Sequence, residues 1–215
     1  MSLPVDIKSK CFVCGKESTQ TVLASSNTFG PSDLDMRPPS MLRETMEWWL
    51  EECPHCGYVS KSLNDITRVT REWLKSDSYL SCDNIKFESE LAERFYRAYL
   101  IKVADHRMMK AFSEVLHAAW ACDDARDDEN AIVCRKKALA LLDEHIAMKP
   151  NDNHSVLRAD LLRRTGQFDK LIAEYADKKY SDDTLNRIIA FQIKKAKQKD
   201  VRCYTVADAF SPFDI

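Results

Sequence analysis

One five-residue pattern, C-x-x-C-G, occurs twice in this chain, as CFVCG at residues 11–15 and as CPHCG at residues 53–57. A C-x-x-C turn presents two sulfur atoms to one metal ion, and thiolates are ligands that structural zinc sites favour. The following glycine can adopt backbone angles that other residues avoid, which lets the chain curl around an ion. Only four glycines occur in the chain, and two of them, Gly15 and Gly57, each follow a cysteine pair. The repetition predicts that the two segments converge on one metal ion.

The predicted ligands are the four cysteines of the two pairs, Cys11, Cys14, Cys53 and Cys56. Four thiolates leave no open position for water or substrate, so we expect a structural zinc ion whose binding drives the folding of a small module. Iron in the same cage is an alternative, because sulfur ligands alone do not exclude it. A thioredoxin-like redox pair is disfavoured, since it requires one such pair within a βαβ pattern. His55 lies between two ligands and is expected to face solvent.

The other four cysteines, Cys82, Cys122, Cys134 and Cys203, have no partner at a metal-binding spacing. Cys122 and Cys134 lie in apolar, helix-like contexts and are expected to be small core residues. Metal chemistry is therefore predicted only for the paired cysteines.

Glycine and proline divide the chain near residue 60. Five of the seven prolines precede residue 55, and from Tyr58 to Lys149 there is neither glycine nor proline. Because both residues interrupt helices, a long helical region should follow the cysteine pairs. We predict a mainly α fold with two domains, a zinc-ribbon-like metal-binding module at residues 1–60 and a helical domain at residues 61–215.

After residue 60, the spacing of apolar residues predicts about seven helices joined by short connections, so that neighbouring helices are antiparallel. They cover residues 64–76, 88–104, 107–125, 129–149, 154–165, 168–180 and 184–199. Before residue 60, residues 19–26 predict a short strand, whereas residues 44–52 fit either a strand or a helical turn.

Residues 158–175, RADLLRRTGQFDKLIAEY, follow the tetratricopeptide pattern. Ala159 supplies the small residue of the first helix, Gly166 lies at the turn, and Tyr175 is placed to pack back from the second helix. Such a helix pair cannot cover its own apolar stripe, so pairs stack on one another. We therefore expect a tetratricopeptide-like antiparallel helical array, with an irregular helical bundle as the alternative.

A second polar constellation lies between the cysteine pairs, in the sequence FGPSDLDMRPP at residues 29–39. Asp33, Asp35 and Arg37 could form a polar site there. The simpler interpretation is an Asx-type turn in which Arg37 pairs with a carboxylate.

Charge argues against nucleic acid as the partner. The chain has 32 basic and 34 acidic residues, and the first 60 residues are net acidic. Nucleic-acid-binding proteins usually carry a basic stripe, because phosphate contacts supply much of their affinity. No run of apolar residues is long enough to span a membrane, and no secretory signal is recognisable, so a cytoplasmic location is expected. The sequence carries no signal for an oligomeric state.

Three segments together resemble a known family. They are CFVCG at residues 11–15, SDLDMRP at residues 32–38 and CPHCGY at residues 53–58, and tetratricopeptide-like helices follow them. This arrangement is similar to the bacterial domain of unknown function 2225 family. The resemblance implies a bacterial cytoplasmic protein, and it brings no catalytic residues. Phe12 departs from the pattern, because such knuckles usually carry proline there.

These observations favour a non-enzymatic scaffold with a structural zinc ion, whose helices bind a protein or peptide partner. One alternative is a nucleic-acid-associated zinc-ribbon protein. Another is an enzyme with its site at the junction of ribbon and helices, around Asp33, Asp35 and Arg37. No nucleophile–base pair or phosphate-binding loop is recognisable in the sequence, although catalytic groups need not be neighbours in the chain.

Overall fold

The computed structural model describes residues 2–211, except the side chain of Asp83. It is mainly helical, as the sequence predicts, and it has two β-hairpins before the first α-helix. Its contacts divide the chain into two compact units. The first unit comprises residues up to 29 and residues 40–134, and the second comprises residues 30–39 and those from 135 onward.

The first unit begins with two antiparallel hairpins. Strand β1 (Leu3–Lys10) pairs with β2 (Glu17–Ser25), and the two-residue strand β3 (Glu51–Glu52) pairs with β4 (Val59–Ser60). The predicted strand at residues 19–26 is confirmed as β2, whereas β1 was not predicted. Each hairpin turn contains one cysteine pair, because the strands end immediately before Cys11 and Cys53.

Three α-helices lie wholly within the first unit: α1 (Asp77–Leu80), α2 (Glu90–Ala104) and α3 (Met108–Asp124). Helix α2 begins where the Ser89 side chain accepts a hydrogen bond from the Ala92 N–H, a normal N-cap. Its buried face includes Phe95 and Ile101, and it packs against α3, in which Val115 is buried. These helices confirm the predictions at residues 88–104 and 107–125 to within two residues.

The predicted helix at residues 64–76 is wrong, and only a 3₁₀ turn at Trp73–Lys75 forms there. The Asp105 carboxylate explains the difference, because Oδ1 accepts from Thr67 Oγ1 at 2.8 Å and from the Arg68 N–H at 2.7 Å. Those bonds hold the segment in a non-helical path and leave Ile66 69% exposed. Within residues 44–52, the structure has a 3₁₀ helix at Arg43–Trp48 followed by β3.

The second unit contains α5 (Asp152–Arg164), α6 (Phe168–Tyr175) and α7 (Asp183–Lys197), which pack against one another. Helix α4 (Asp128–Met148) contains the boundary between the units. The helices predicted after residue 128 are confirmed, although α6 ends five residues earlier than predicted. Fully buried leucines such as Leu161, Leu162 and Leu171 form the core.

A buried arginine connects the helices of the second unit. Arg163 is fully buried, and its guanidinium donates to Asp160 Oδ1 at 2.8 Å and to the carbonyl oxygens of Asp200 and Arg202 at 2.8 Å each. Gln192 of α7 accepts a further bond from Nε. Because nearly every donor is satisfied, the charge is accommodated within the core.

Left-handed residues end several helices in a region that lacks glycine. His106 follows α2 and Arg126 follows α3, with φ of 57° and 60°. After α2, the Arg107 N–H donates to the Lys102 carbonyl and the His106 N–H to the Val103 carbonyl, the bonds of a Schellman cap. Gly166 ends α5 in the same way. The long stretch without glycine or proline is therefore divided into separate helices.

The compact units do not follow the predicted ranges 1–60 and 61–215. Hydrogen bonds join the cysteine segments to later residues of the same unit, including Lys102 Nζ to Ser60 Oγ at 2.9 Å and Tyr79 Oη to the Gly57 carbonyl at 2.6 Å. Independent folding of residues 1–60 and 61–215 stays a prediction. Within residues 2–211, every helix falls short of the length and apolarity that crossing a membrane would require.

Candidate metal centre

The two cysteine turns have the same backbone geometry. The Gly15 N–H donates to the Cys11 carbonyl at 2.8 Å, and the Gly57 N–H donates to the Cys53 carbonyl at 2.9 Å. Both glycines adopt left-handed φ values, 71° and 72°. Each turn is closed by a bond from the N–H of the first cysteine, to Lys16 O or Tyr58 O. The repeated sequence therefore folds into a repeated knuckle.

The two knuckles bring their four sulfur atoms together. Cys11 Sγ lies 3.7 Å from Cys56 Sγ, and Cys14 Sγ lies 3.5 Å from Cys53 Sγ. The ligand atoms of all four residues lie within 4.8 Å of one another. A tetrahedral zinc ion about 2.3 Å from each sulfur needs sulfurs about 3.8 Å apart. Disulfides require an S–S distance of about 2.05 Å, and all four thiols are free. The cluster therefore fits a four-coordinate metal ion.

Burial and hydrogen bonding affect the thiols of the cluster differently. Burial raises the pKa of Cys11 and of Cys56. For Cys14, burial also acts upward, but the Lys16 N–H and neighbouring thiols outweigh it and lower the pKa to about 7. A metal ion binds the deprotonated form, so binding at such a site releases protons.

Residues outside the hairpins hold the knuckles in place. The Arg71 guanidinium donates to the Cys14 carbonyl, and the Phe12 N–H donates to the Leu63 carbonyl at 2.8 Å. Proline has no N–H, so the presence of phenylalanine at position 12 permits this second bond. The side chains of Lys16 and Lys75 line a small pocket beside Cys14. They place positive charge next to a cluster that would be net negative with four thiolates and a divalent ion.

His55 is exposed and lies outside the four-sulfur group. Its Nε2 is 3.3 Å from the Glu17 carbonyl oxygen. This position agrees with the prediction that the His55 side chain faces solvent.

Asp33, Asp35 and Arg37 lie close together in the second unit, in a buried turn. The Met36 N–H donates to the Asp33 carbonyl at 2.9 Å, and the Arg37 N–H lies 3.3 Å from Asp35 Oδ1, which is the bonding of an Asx-type turn. The Asp35 carboxylate is 1% exposed and accepts from Arg164 NH1 at 3.0 Å. Arg135 NH2 lies 3.6 Å from the same oxygen. Ion pairs of Asp35 with Arg135 and Arg164 therefore hold the turn against α4 and α5.

The sequence did not predict the ion pairs of Arg135 and Arg164 with Asp35, because no local pattern connects these residues. The two arginines lie within helices whose charge pattern resembles that of an ordinary solvated face. Cys122 and Cys134, by contrast, are fully buried as expected for small core residues.

The family model described as "Uncharacterized protein conserved in bacteria (DUF2225)" matches residues 5–202. The match covers the first hairpin from residue 5 onward, the whole second hairpin and the helices α1 to α7. The chain belongs to the DUF2225 family. Comparisons of this DUF2225 protein with curated proteins and with solved structures gave no significant match.

Proposed function

We propose that this DUF2225 protein is a non-enzymatic scaffold in which a structural zinc ion holds the hairpins and the helices of the second unit bind a peptide segment. The proposal has two parts. One concerns the ion held by the cysteine cluster, and the other concerns a groove beside α5 and α7.

Zinc is favoured for the cluster because four sulfurs complete a tetrahedron and leave no open coordination position. Cys11, Cys14, Cys53 and Cys56 would hold the ion, each pair from one hairpin turn. The ion supplies folding free energy, about 10–16 kcal/mol in comparable small sites. Strands β3 and β4 have only two residues each, so their backbone pairing alone provides little stability. Iron would occupy the same four sulfurs and is distinguished by metal analysis.

A groove in the second unit is the observation that carries the binding role. Its volume is about 580 Å³, and it is lined mainly by apolar side chains, Leu34, Met36, Val156, Leu157, Leu185, Ile188 and Val206. Cavities of this size and composition are typical of ligand sites. Met36 is 66% exposed at this groove and has a left-handed φ of 69°. An exposed, flexible methionine suits contact with a partner.

Polar groups in the groove match a peptide backbone. Asn151 and Asn153 are among the lining residues, and an amide side chain offers both a donor and an acceptor, as a peptide bond does. Asn151 Oδ1 already accepts from the His154 N–H at 3.1 Å, which leaves its NH₂ group to donate. No lysine or arginine lines this groove within the described residues, so the lining favours an apolar peptide over a nucleic acid.

The residues of α5 and α6 support a tetratricopeptide-like interpretation of this helix pair. Ala159 and Tyr175 are buried, and Gly166 forms the turn between the two helices with φ of 74°. These are the positions at which the repeat pattern requires a small residue, a packing aromatic and a left-handed turn. A stacked helix pair of this kind presents a groove to a partner segment.

Peptide selection tests the proposal. The zinc-loaded full chain would be used to select displayed peptides, and fluorescence anisotropy would measure their affinity. We expect apolar segments whose dissociation constants rise at least tenfold in Met36→Glu, because a charge would be placed in an apolar groove.

Met148→Glu is the matched control, because Met148 is also exposed, at 72%, but does not line the groove. It should bind the selected peptides like the original chain. Equal effects of both substitutions would contradict the groove assignment. Salt-sensitive binding of an RNA oligonucleotide, with no selected peptide, would instead support the nucleic-acid alternative.

A further inference from the structure

A separate cavity of about 480 Å³ lies within the first unit. Its walls are formed by the β1–β2 hairpin, residues 42–51, Lys61, α2 and α3. We name it the aromatic cavity, because its lining includes the rings of Trp48, Trp49, Phe95 and His117. Glu51 and Glu114 line it as well.

The rings of this cavity form a packed group. The centroid of His117 lies 5.2 Å from that of Trp49 and 5.2 Å from that of Phe95, both in edge-on geometry. Trp49 Nε1 donates to Thr45 Oγ1 at 2.9 Å, which fixes the indole. Rings held in this way offer preformed π faces and edges rather than a surface that must rearrange to bind.

Two carboxylates with little exposure lie in the same wall. Glu51 is 3% exposed and Glu114 is 9% exposed. Glu51 Oε2 accepts from the Leu63 N–H at 2.9 Å, and Glu114 Oε2 lies 3.5 Å from His117 Nδ1. A carboxylate can accept about four hydrogen bonds. Glu51, with the Leu63 N–H, and Glu114, with the His117 imidazole, can therefore each accept further hydrogen bonds.

The lysines near this wall are occupied or exposed. Lys102 donates to Ser60 Oγ at 2.9 Å and lies 3.9 Å from Asp65 Oδ2, and its charge also acts on Glu114. Lys61 lines the cavity but is exposed, so its charge is well solvated. A cation entering the cavity would therefore meet two poorly hydrated carboxylates and the partly exposed rings of Trp48, Trp49 and His117.

We propose that the aromatic cavity binds a small organic ammonium ion. Aromatic faces attract a cation most strongly when water is excluded, and buried carboxylates add charge-assisted attraction. A bare metal ion fits less well, because the only group of three or more metal-ligating side chains found among the described residues is the four-cysteine cluster. The cavity volume lies within the range of small-molecule sites.

Isothermal titration calorimetry on the zinc-loaded full chain tests this proposal with matched probes. Choline and phenethylammonium serve as the cations. The uncharged analogue of choline, 3,3-dimethylbutan-1-ol, has the same shape without the charge. We expect saturable binding of at least one cation, with affinity at least tenfold above that of the alcohol.

Variants then locate the binding. Glu114→Gln keeps the size of the side chain and should weaken cation binding by roughly five- to tenfold, because one charge is lost. Glu144→Gln, at an exposed position on α4 outside the cavity, should leave it unchanged. Trp48→Phe should weaken binding by a smaller factor, since phenylalanine attracts cations less strongly than tryptophan.

Absence of saturable binding for both cations would overturn the proposal. Equal affinity for choline and the alcohol would also overturn it, as would unchanged cation binding in Glu114→Gln. This cavity and the peptide groove lie in different units and share no residue. The cation-binding and peptide-binding experiments therefore test the two sites independently.

Discussion

The cysteine knuckles and the Asp33–Arg37 turn are both loops held by a polar cluster, but the two clusters are built differently. The knuckles converge through four sulfurs supplied as two local pairs. The turn is held by the Asp35 carboxylate, whose partners Arg135 and Arg164 lie about a hundred or more positions away in the chain. In the proposed zinc site an added ion completes the first cluster, whereas the second balances its charge with the chain's own side chains.

This difference determines the effect of removing one side chain from either cluster. In the proposed zinc site, loss of one thiolate opens the coordination shell and removes the folding free energy that the ion supplies. Loss of the Asp35 charge removes one counter-charge from the buried Arg135 and Arg164, which is costly but affects one anchored turn. The following predictions test this contrast, beginning with the largest effect.

Cys53→Ser should release the metal ion and unfold both hairpins, while most of the helical circular dichroism remains. The reason is that three thiolates no longer complete the tetrahedron. Metal content by mass spectrometry and amide hydrogen exchange over residues 2–60 provide the measurement. Cys203→Ser is the control, since Cys203 lies outside the four-sulfur group. Retention of one ion per chain by Cys53→Ser would count against the account.

Asp35→Asn should lower the free energy of unfolding by about 3–5 kcal/mol, the usual cost of removing one partner of a buried ion pair. The effect should appear without metal loss, because Asp35 belongs to the second unit. Urea denaturation with parallel metal analysis measures both quantities. The exposed Asp177→Asn control should change stability by less than about 0.5 kcal/mol. A cost below about 1 kcal/mol for Asp35→Asn would show that the pair does not anchor the turn.

Gly57→Ala and Gly166→Ala should each lower the free energy of unfolding by about 1 kcal/mol, because alanine disfavours left-handed φ. Gly57 lies in a knuckle and Gly166 at a helix end, and neither would place a Cβ within 4 Å of another atom. The cost of placing alanine at a left-handed φ is therefore expected to be the same in the knuckle and at the helix end. Thermal denaturation of the zinc-loaded variants measures it. A several-fold larger cost at Gly57 would show that the knuckle depends on glycine for more than its backbone angles.

The sequence was sufficient to predict features whose signal is local. Two C-x-x-C-G turns specified the sulfur cluster, and apolar periodicity specified the helices from α2 to α7. The helix prediction for residues 64–76 failed because their apolar spacing resembles that of an amphipathic helix. In the structure, the distant Asp105 carboxylate accepts hydrogen bonds from Thr67 and the Arg68 N–H, and no α-helix forms there. Strand β1 was missed because it is mostly exposed and lacks a clear alternation.

Features formed by contacts between distant segments could not be predicted in this way. The partners of Asp35 come from two helices, and the aromatic cavity combines Trp49, Phe95 and His117 from three separate segments. In each segment these residues follow the ordinary pattern of a core or a solvated face. Only the folded arrangement places them together.

Zinc K-edge X-ray absorption on the purified chain measures which atoms surround the bound metal. We predict one zinc ion per chain surrounded by four sulfur atoms at about 2.3 Å. An absorption spectrum dominated by nitrogen or oxygen neighbours, or a protein that binds iron in preference to zinc, would contradict it.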